Sequence, residues 1–387
     1  MNFGALALMV AAGLVGPVLA LPRKFGLPVV VGEIAAGVAI GPSGFDWVDP
    51  GDTLLSGLAA IGFALLMFIV GTHVPVRDRQ LRSALAMGAA VVATVGLLAA
   101  FGGVLLGPHV GLDRPAILAV ILATSSGAVA LPVLQGLGRS DRVVLVTTVW
   151  IAVADVGTVL ALPLVLATGS IARVVTGGLL VVMAAAVLYF MGVAARGSEL
   201  VRRSRSKSHR YGWGLDLRVS LLALFTCAWL ANRFGTSILI AGFAVGVVVA
   251  LLGESQRVAQ QLVGIGEGFA IPLFFVHLGA QLDLGALFES PRALLLGGAL
   301  SSLAIAIHIV AGALWRLPPS MGLMASAQLG VPASVVSIGL ATHQLTGAQG
   351  AAVMASMLVT LAACALGAAV LGYHEPLTDA SVPVVEL

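Results

Sequence analysis

Long apolar runs follow one another along nearly the whole chain, with little polar sequence between them. A helix needs about 20 mostly apolar residues to cross a bilayer, where its backbone must satisfy its own hydrogen bonds. The sequence therefore predicts an all-α polytopic membrane protein with about 13 transmembrane helices. We place these helices at about 4–21, 27–42, 53–72, 83–107, 115–138, 143–168, 172–194, 214–232, 236–253, 260–282, 293–315, 319–342 and 346–373.

The composition argues against several other classes of protein. Apolar residues make up 59% of the chain and charged residues only 10%, against about 45–50% and about 25% in soluble domains. These values exclude a water-soluble enzyme, a disordered tail and a nucleic-acid-binding protein. The two cysteines, Cys227 and Cys364, lie inside apolar runs, so we interpret them as packing residues and expect no cofactor.

Lys and Arg are distributed unevenly between the predicted connections. The odd-numbered connections carry sixteen of the 20 basic residues, and the even-numbered ones carry four. Because long basic side chains stay on the cytoplasmic side, we expect the N-terminus outside and the C-terminus in the cytoplasm, across the plasma (inner) membrane. The densest basic run, RRSRSKSHR at 202–210, is interpreted as a solvated loop, with binding of anionic membrane lipid as the alternative.

Two pairs of similar segments are each separated by seven predicted helices. Transporters are often built from inverted repeats, with the binding site at the interface of the repeats. We therefore predict one transmembrane domain over 1–387, with repeat one at about 1–168, a linker helix at about 172–194 and repeat two at about 214–373. The paired segments are GFALLMFIV (Gly62–Val70) with GFAIPLFFV (Gly268–Val276), and ATSSGAVALPVL (Ala123–Leu134) with SAQLGVPASVV (Ser326–Val336).

The second pair of segments combines small polar residues, a glycine and a proline in mid-membrane. Proline lacks a backbone N–H and clashes with the preceding turn. Backbone groups freed in this way must line a cavity or find other partners, because lipid offers none. We therefore predict that the fifth and twelfth helices are broken and meet at the midplane; simple proline kinks are the alternative.

Asp155 and Glu33 are the two acids that lie well inside the predicted spans. A central aspartate costs about 3 kcal/mol to insert, so such a residue usually has a function. Burial disfavours the charged form of a carboxyl and a bound cation favours it, so Asp155 could hold a proton or a monovalent cation in turn. Thr158 lies one turn later on the same face. Glu33 is a secondary ion-binding candidate, although a hydrogen-bonded structural carboxyl is the favoured interpretation.

The broken helices supply further candidate ligands. Their hydroxyl, amide and freed carbonyl oxygens could replace water around a cation, whereas hydrogen bonds to their own helix are the alternative. His308, in the eleventh helix, is a secondary candidate. No His and Asp have metal-site spacing on one helix, so the only metal ion we predict is the monovalent cation at Asp155. The candidate ligands on the broken helices are Thr124, Ser125, Ser126 and, as a secondary candidate, Gln328.

The sequence resembles the bacterial monovalent cation:proton antiporters, in the sodium/proton exchanger-like branch that includes the potassium-efflux antiporters. Together with the Asp155 helix, the order and spacing of four motifs carry this resemblance over nearly the whole chain. The motifs are VVVGEIAAGVAIGPSGF (Val29–Phe45), LLMFIVG (Leu65–Gly71), ATSSGAVALPVLQ (Ala123–Gln135) and FAIPLFFVHLG (Phe269–Gly279).

The resemblance implies a 13-helix fold with a dimerisation domain and a core domain. Helices four to six and eleven to thirteen would form the core, with the two broken helices crossing inside it. Asp155 matches the aspartate that binds ion and proton in the family. Movement of the core against a dimer scaffold would carry the substrate, which suggests a homodimer.

Three departures from the family pattern bear on mechanism. Ala154 precedes the aspartate, where relatives carry Asp, Asn or Gln, so a second carboxylate is absent at this position. His308 stands about where many relatives place a Lys. The chain stops at Leu387, so we expect no soluble regulatory domain.

These observations predict a secondary active antiporter rather than an enzyme. One carboxylate that binds a cation and a proton in turn would exchange Na⁺ or K⁺ for H⁺ electroneutrally, by alternating access. Two alternatives remain: the same fold exporting an organic ion or an ionophore–cation complex, or an ion sensor that does not transport. An intramembrane hydrolase is disfavoured, because an aspartyl type needs two facing carboxylates.

Overall fold

The computed structural model describes residues 3–20, 29–72, 79–136, 141–166, 171–211, 213–234, 238–252, 262 and 264–371. Within those ranges the regular structure is entirely helical. Several basic residues that support the predicted orientation lie outside the described residues. These are Arg23, Lys24, Arg77, Arg139 and Arg257.

Helices occupy each of the thirteen predicted runs. In the first half they are α1 (Phe3–Gly13), α2 (Val15–Ala20), α3 (Val29–Ile40), α4 (Thr53–Thr72), α5 (Arg79–Val110), α6 (Pro115–Ala123), α7 (Gly127–Gly136), α8 (Arg142–Val165) and α9 (Ile171–Gly197). In the second half they are α10 (Glu199–Tyr211), α11 (Leu215–Arg233), α12 (Ile238–Leu252), α13 (Ile271–Ala280, preceded by a π-helical turn at Gly266–Ala270), α14 (Leu284–Glu289), α15 (Pro291–Leu314), α16 (Pro319–Ala325), α17 (Gly330–Ala341) and α18 (Gly347–Val370).

Eight helical segments of the described chain are long and apolar enough to cross a membrane, and three more apolar helices are shorter. The predicted run at 53–72 coincides with α4. The chain is therefore a multi-pass membrane protein, as the apolar runs indicate, while the count of about 13 crossings stays a prediction.

Side-chain caps mark the starts of several long helices, because the first backbone N–H groups of a helix lack partners within it. The Asp141 carboxylate accepts a hydrogen bond of 3.1 Å from the Val144 N–H at the start of α8. Ser290 caps α15, and Thr346 with Gln349 forms a capping box at α18. Polar residues thus end these three connections where an apolar run begins.

The helices pack into two groups. The first contains α1–α4, α9 and α11–α13, and the second contains α5–α8 and α15–α18. The groups touch where α4 meets α7 and where α8 meets α9 and α12. The second group holds the helices that the family resemblance assigns to the core domain.

Glycines permit close approach between helices of the first group. A Cβ atom on Gly37 of α3 would overlap the Val276 carbonyl of α13, and one on Gly279 of α13 would overlap the Ile34 carbonyl of α3. The similar segments that start at Gly62 and Gly268 also pack together. The Phe63 and Phe274 rings lie 4.9 Å apart there. The inverted repeat that these segments suggest stays a prediction.

Residues 199–211 differ from the sequence interpretation, because they form helix α10 rather than a loop. This segment contains no Gly or Pro. An ion pair of 2.7 Å joins Glu199 to Arg203 one turn later, in the order that supports an exposed helix. Apolar content alone missed the helix, because its surface is polar.

Candidate ion-binding site

Two helices of the core group are interrupted in the middle of their spans. The α6–α7 helix breaks at Thr124–Ser126, and the α16–α17 helix breaks at 326–329. The proline of the second helix, Pro332, occupies the first turn of α17, where its missing N–H costs no helical hydrogen bond. Both predicted discontinuities are present, and each stretch of freed backbone lies in the protein interior.

The two breaks cross, and hydrogen bonds join them. The Ser126 N–H donates to the Ala327 carbonyl at 2.7 Å, and the Ser125 hydroxyl donates to the Ala325 carbonyl at 2.7 Å. In the other direction, the Gln328 amide donates to the Ile121 carbonyl at 2.7 Å. Each break therefore receives hydrogen bonds that its own helix no longer supplies, as buried backbone groups require.

Asp155 lies beside this crossing, on α8, and is 8% exposed. Its Oδ2 atom accepts a hydrogen bond of 2.9 Å from the backbone N–H of Gly127, the first residue of α7. The positive end of a helix dipole and its free N–H groups favour an anion at this position. The α7 half-helix thus stabilises a buried carboxylate that has only this hydrogen bond within the described residues.

Two threonine hydroxyls join the first break to the helix that carries Asp155. Thr124, at the break, and Thr158, one turn after Asp155, have their Oγ1 atoms 2.9 Å apart. Thr158 donates its hydrogen to the Ala154 carbonyl at 2.8 Å, so Thr124 donates to Thr158. The Thr124 oxygen keeps its lone pairs for another partner. The sequence placed Thr158 on the Asp155 face, but Thr158 was not among the predicted ligands.

His308, on α15, also lies close to the crossing. Its Nδ1 atom is 2.8 Å from the Ala304 carbonyl, and its Nε2 atom is 3.4 Å from the Ser125 hydroxyl. The ring stacks on Trp150 of α8, with centroids 5.8 Å apart and an interplanar angle of 10°. His308 therefore contacts the first broken helix, and the Trp150 ring packs against it. The apolar run around Trp150 does not predict this contact.

Glu33 is not brought to this site. It is buried in α3, which belongs to the other helix group, and its side chain packs against Gly16 of α2. A Cβ atom on Gly16 would lie 2.7 Å from the Glu33 Cγ atom. No described residue donates a hydrogen bond to this carboxyl, and the structural role that the sequence favoured for Glu33 stays a prediction.

The arrangement suits one small cation or one proton. The described chain has no group of three or more His, Cys, Asp or Glu side chains that could hold a metal ion. Ala154, beside Asp155, is buried and supplies no second carboxylate. A single negative charge with neighbouring hydroxyls therefore provides hard oxygen atoms and one unit of charge, which matches a monovalent cation.

Comparisons with known proteins agree with this geometry. Over 323 residues, the chain is 29% identical to the putative Na⁺/H⁺ antiporter YjbQ of Bacillus subtilis, covering 76% of this chain and 50% of that protein. It therefore spans about half the length of this relative. It is also 27% identical to the Na⁺/H⁺ antiporter of Enterococcus hirae, with 74% of each chain covered.

The fold is similar to that of the sodium proton antiporter MjNhaP1 from Methanocaldococcus jannaschii, with a TM-score of 0.63 at 15% identity over 95% of this chain and 96% of that one. The family model for the transmembrane region of sodium/hydrogen exchangers matches residues 9–378. With nearly the whole chain matched and the broken helices crossing beside Asp155, the protein belongs to the sodium/hydrogen exchanger family.

Proposed function

We propose that this protein is a secondary active antiporter that exchanges a monovalent cation, Na⁺ or K⁺, for H⁺. The observation that carries the proposal is the buried Asp155 carboxylate, capped by the Gly127 N–H where two broken helices cross. The sodium/proton antiporters among its relatives support the same assignment.

Asp155 would couple the two fluxes by holding one ion at a time. A buried carboxylate without a nearby cation is unfavourable, so it binds either a proton or a cation. The Thr124 hydroxyl and the backbone carbonyls of the two breaks are the further oxygen ligands that we propose for the cation. Ser125 and Gln328 act through the hydrogen bonds that hold the crossing together, and Ser126 acts through its backbone.

We further propose electroneutral exchange. One carboxylate and the neutral Ala154 beside it support a 1:1 exchange of cation for proton, which moves no net charge. The membrane potential, worth about 2.3 kcal/mol per charge per 100 mV, would then not drive transport. The concentration gradients of cation and proton would drive it instead.

The same proposal includes a moving core. The second helix group carries Asp155 and both breaks, and it would move against the first group, which would form the scaffold of a homodimer. The distribution of basic residues supports an external N-terminus and a cytoplasmic C-terminus.

A serine hydrolase is not supported, because the Ser125 hydroxyl donates its hydrogen to the Ala325 carbonyl rather than to His308.

Purified protein in liposomes with an internal pH-sensitive dye tests this function. We expect Na⁺, K⁺ or Li⁺ added outside to dissipate an imposed pH gradient with wild type and with a Glu289→Gln control, since Glu289 is exposed and remote from the site. Asp155→Asn should abolish the signal. Equal fluxes in Asp155→Asn and wild type would refute the single-site mechanism.

Charge movement tests the stoichiometry separately. On solid-supported membranes, wild type should produce no steady current while the dye reports rapid exchange. A current that scales with turnover would refute electroneutrality and leave the exchange itself intact.

Ala154 and His308 favour one second candidate, export of an organic ion or an ionophore–cation complex, because the family resemblance implies a polar residue at the first position and a Lys at the second. The same dye assay separates the candidates. Dissipation by a quaternary or primary organic ammonium ion, with none by Na⁺, K⁺ or Li⁺, would select organic cation export. Cation binding without any flux would select an ion sensor.

A further inference from the structure

A cavity of about 440 Å³ opens away from the aspartate site, at one end of the core helix group. It lies between α5, the first turns of α8 and the turn that joins α15 to α16. Met87, Val146 and Leu314 contribute to an apolar wall, and Arg142, Trp315 and Arg316 contribute the polar rim. Among the residues that the structure describes, the lining contains two cationic side chains and no acidic one.

Both arginines are available to a ligand. Neither Arg142 nor Arg316 makes an ion pair or a side-chain hydrogen bond with any residue that the structure describes. The neighbouring acid, Asp141, already accepts the capping hydrogen bond from Val144. Each guanidinium group presents a planar fork of N–H donors that suits phosphate oxygens, and the cavity has two of them.

The aromatic part of the rim is held in place. The Trp315 indole N–H donates a hydrogen bond of 3.0 Å to the Thr94 hydroxyl, and Thr94 donates to the Ala90 carbonyl at 2.9 Å. These contacts fix the indole ring of Trp315 against α5 before any ligand binds. A fixed tryptophan beside basic residues is typical of the boundary between lipid and water.

The backbone conformation of Arg316 also indicates a use for its side chain. The Arg316 and Leu317 N–H groups donate to the Ala313 and Gly312 carbonyls at 2.9 Å each, which closes α15 with a left-handed residue at Arg316, φ +58°. Glycine is the residue usually found at this position of a helix end. Arginine at this position carries a backbone cost that glycine would avoid.

We propose that this cavity binds the phosphate of an anionic phospholipid between Arg142 and Arg316, with an acyl chain along Met87, Val146 and Leu314. A lipid fits better than a free phosphate, because the walls are mainly apolar and Leu314 is 65% exposed beside the opening. The cavity also lies where the long apolar helix α8 begins and α15 ends, so we expect it near a membrane boundary.

A lipid bound here would contact the helices that carry the ion site. Arg142 and Val146 are on α8 with Asp155, and Leu314 is on α15 with His308. Trp150 packs against Gly312, with 3.6 Å from its ring to a Cβ built on that glycine, directly above the cavity residues of both helices. The lipid would therefore bridge α8 and α15 at their shared end.

Binding to delipidated protein in neutral detergent tests the proposal, with native mass spectrometry and thermal unfolding as readouts. The probes are phosphatidylglycerol, phosphatidylcholine and inorganic phosphate. The test variant is Arg142→Gln with Arg316→Gly, in which glycine suits the left-handed backbone and should preserve the fold. The controls are Arg218→Gln, which removes an exposed charge elsewhere, and His343→Gly, which relaxes a residue with φ +54°.

We expect phosphatidylglycerol to bind and stabilise wild type and both controls, and its apparent affinity to fall about tenfold or more in the double variant. Equal retention of phosphatidylglycerol by the double variant, or equal binding of phosphatidylcholine by wild type, would overturn the proposal. Stabilisation by inorganic phosphate that depends on the two arginines would assign the cavity to a soluble phosphate compound and overturn the lipid assignment. Because the readout is binding, none of these outcomes depends on antiport.

Discussion

The Oδ2 atom of Asp155 lies 2.9 Å from the backbone nitrogen of Gly127, so a side chain of one helix caps the second half of a broken helix. The capping bond uses one oxygen of the carboxyl group that we propose binds a proton or a cation. The proposed ion binding at Asp155 would therefore be linked to the position of α7 through one hydrogen bond. This link allows an ion to affect the backbone of the crossing directly.

Replacing Gly127 with alanine should disturb transport more than stability. A Cβ atom at Gly127 would lie 2.9 Å from the Asp155 Oδ2 atom, so the carboxylate must turn away from the α7 N-terminus. We expect about a tenfold weaker apparent cation affinity, equivalent to about 1.4 kcal/mol, with little change in thermal stability. Dye-based exchange at varied Na⁺ or K⁺ concentration measures this affinity.

Gly157→Ala is the matched control for Gly127→Ala, because a Cβ atom on Gly157 meets nothing within 4 Å. Both changes add one methyl group. Gly157 is close to Asp155 in the sequence, whereas Gly127 contacts the Asp155 side chain. Equal loss of affinity in the two variants would contradict the role of the Gly127–Asp155 bond.

The Thr124–Thr158 hydrogen bond should contribute measurably to the packing of the break against α8. Thr124→Val and Thr158→Val each remove it, and the double variant removes it only once. Hydrogen bonds of this kind in membrane proteins average about 0.6 kcal/mol, so we expect a coupling energy of about that size. Unfolding in mixed micelles titrated with a denaturing detergent gives the four free energies, and strict additivity would count against the bond.

Gln328→Leu should destabilise the crossing of the broken helices. The substitution removes the donor to the Ile121 carbonyl, a buried acceptor whose remaining partner, the Thr124 N–H, is at a longer 3.3 Å. We expect a loss of about 1–3 kcal/mol in the free energy of unfolding. The control is Ser334→Ala, which removes a hydroxyl bonded only to the Gly330 carbonyl one turn earlier in the same helix. An equal loss in the control would show that Gln328 does nothing specific to the crossing.

Gly37→Ala should separate α3 from α13. Its Cβ atom would overlap the Val276 carbonyl, a backbone atom that cannot move without shifting the helix. We expect a loss of about 1–3 kcal/mol in the free energy of unfolding. Gly57→Ala in α4, where a Cβ atom meets nothing within 4 Å, should instead be neutral or stabilise by up to about 1 kcal/mol. The same thermal shift for both variants would exclude close helix contact as the cause.

The broken helices could be predicted because their cause is local. Thr124, Ser125 and Ser126 offer side chains that compete for backbone hydrogen bonds, and Pro332 cannot donate one. The apolar runs likewise specify where helices lie, since lipid forces the backbone to bond within each segment. Asp155 could be identified as a candidate site residue from the sequence, because a charge inside such an apolar run needs a compensating partner.

The partners themselves could not be predicted, because they depend on distance in space. Nothing near Asp155 in the sequence identifies Gly127 as its hydrogen-bond donor, and nothing near His308 identifies Trp150 as the ring that stacks on it. The position of Glu33 away from Asp155 could not be predicted for the same reason, since the sequence does not reveal which helix group surrounds a buried carboxyl. Helix α10 was missed because apolar content does not detect a polar helix.

The crossing has a consequence for how the protein is made. The Ser125 hydroxyl and the Ala325 carbonyl that it binds are 200 residues apart in the chain. At about 5–20 residues per second, a ribosome needs about 10–40 s to synthesise that interval. During this time the first break stands in the membrane without the backbone that completes it. Early synthesis should therefore produce an intermediate that depends on water, lipid headgroups or an insertion factor until the second break arrives.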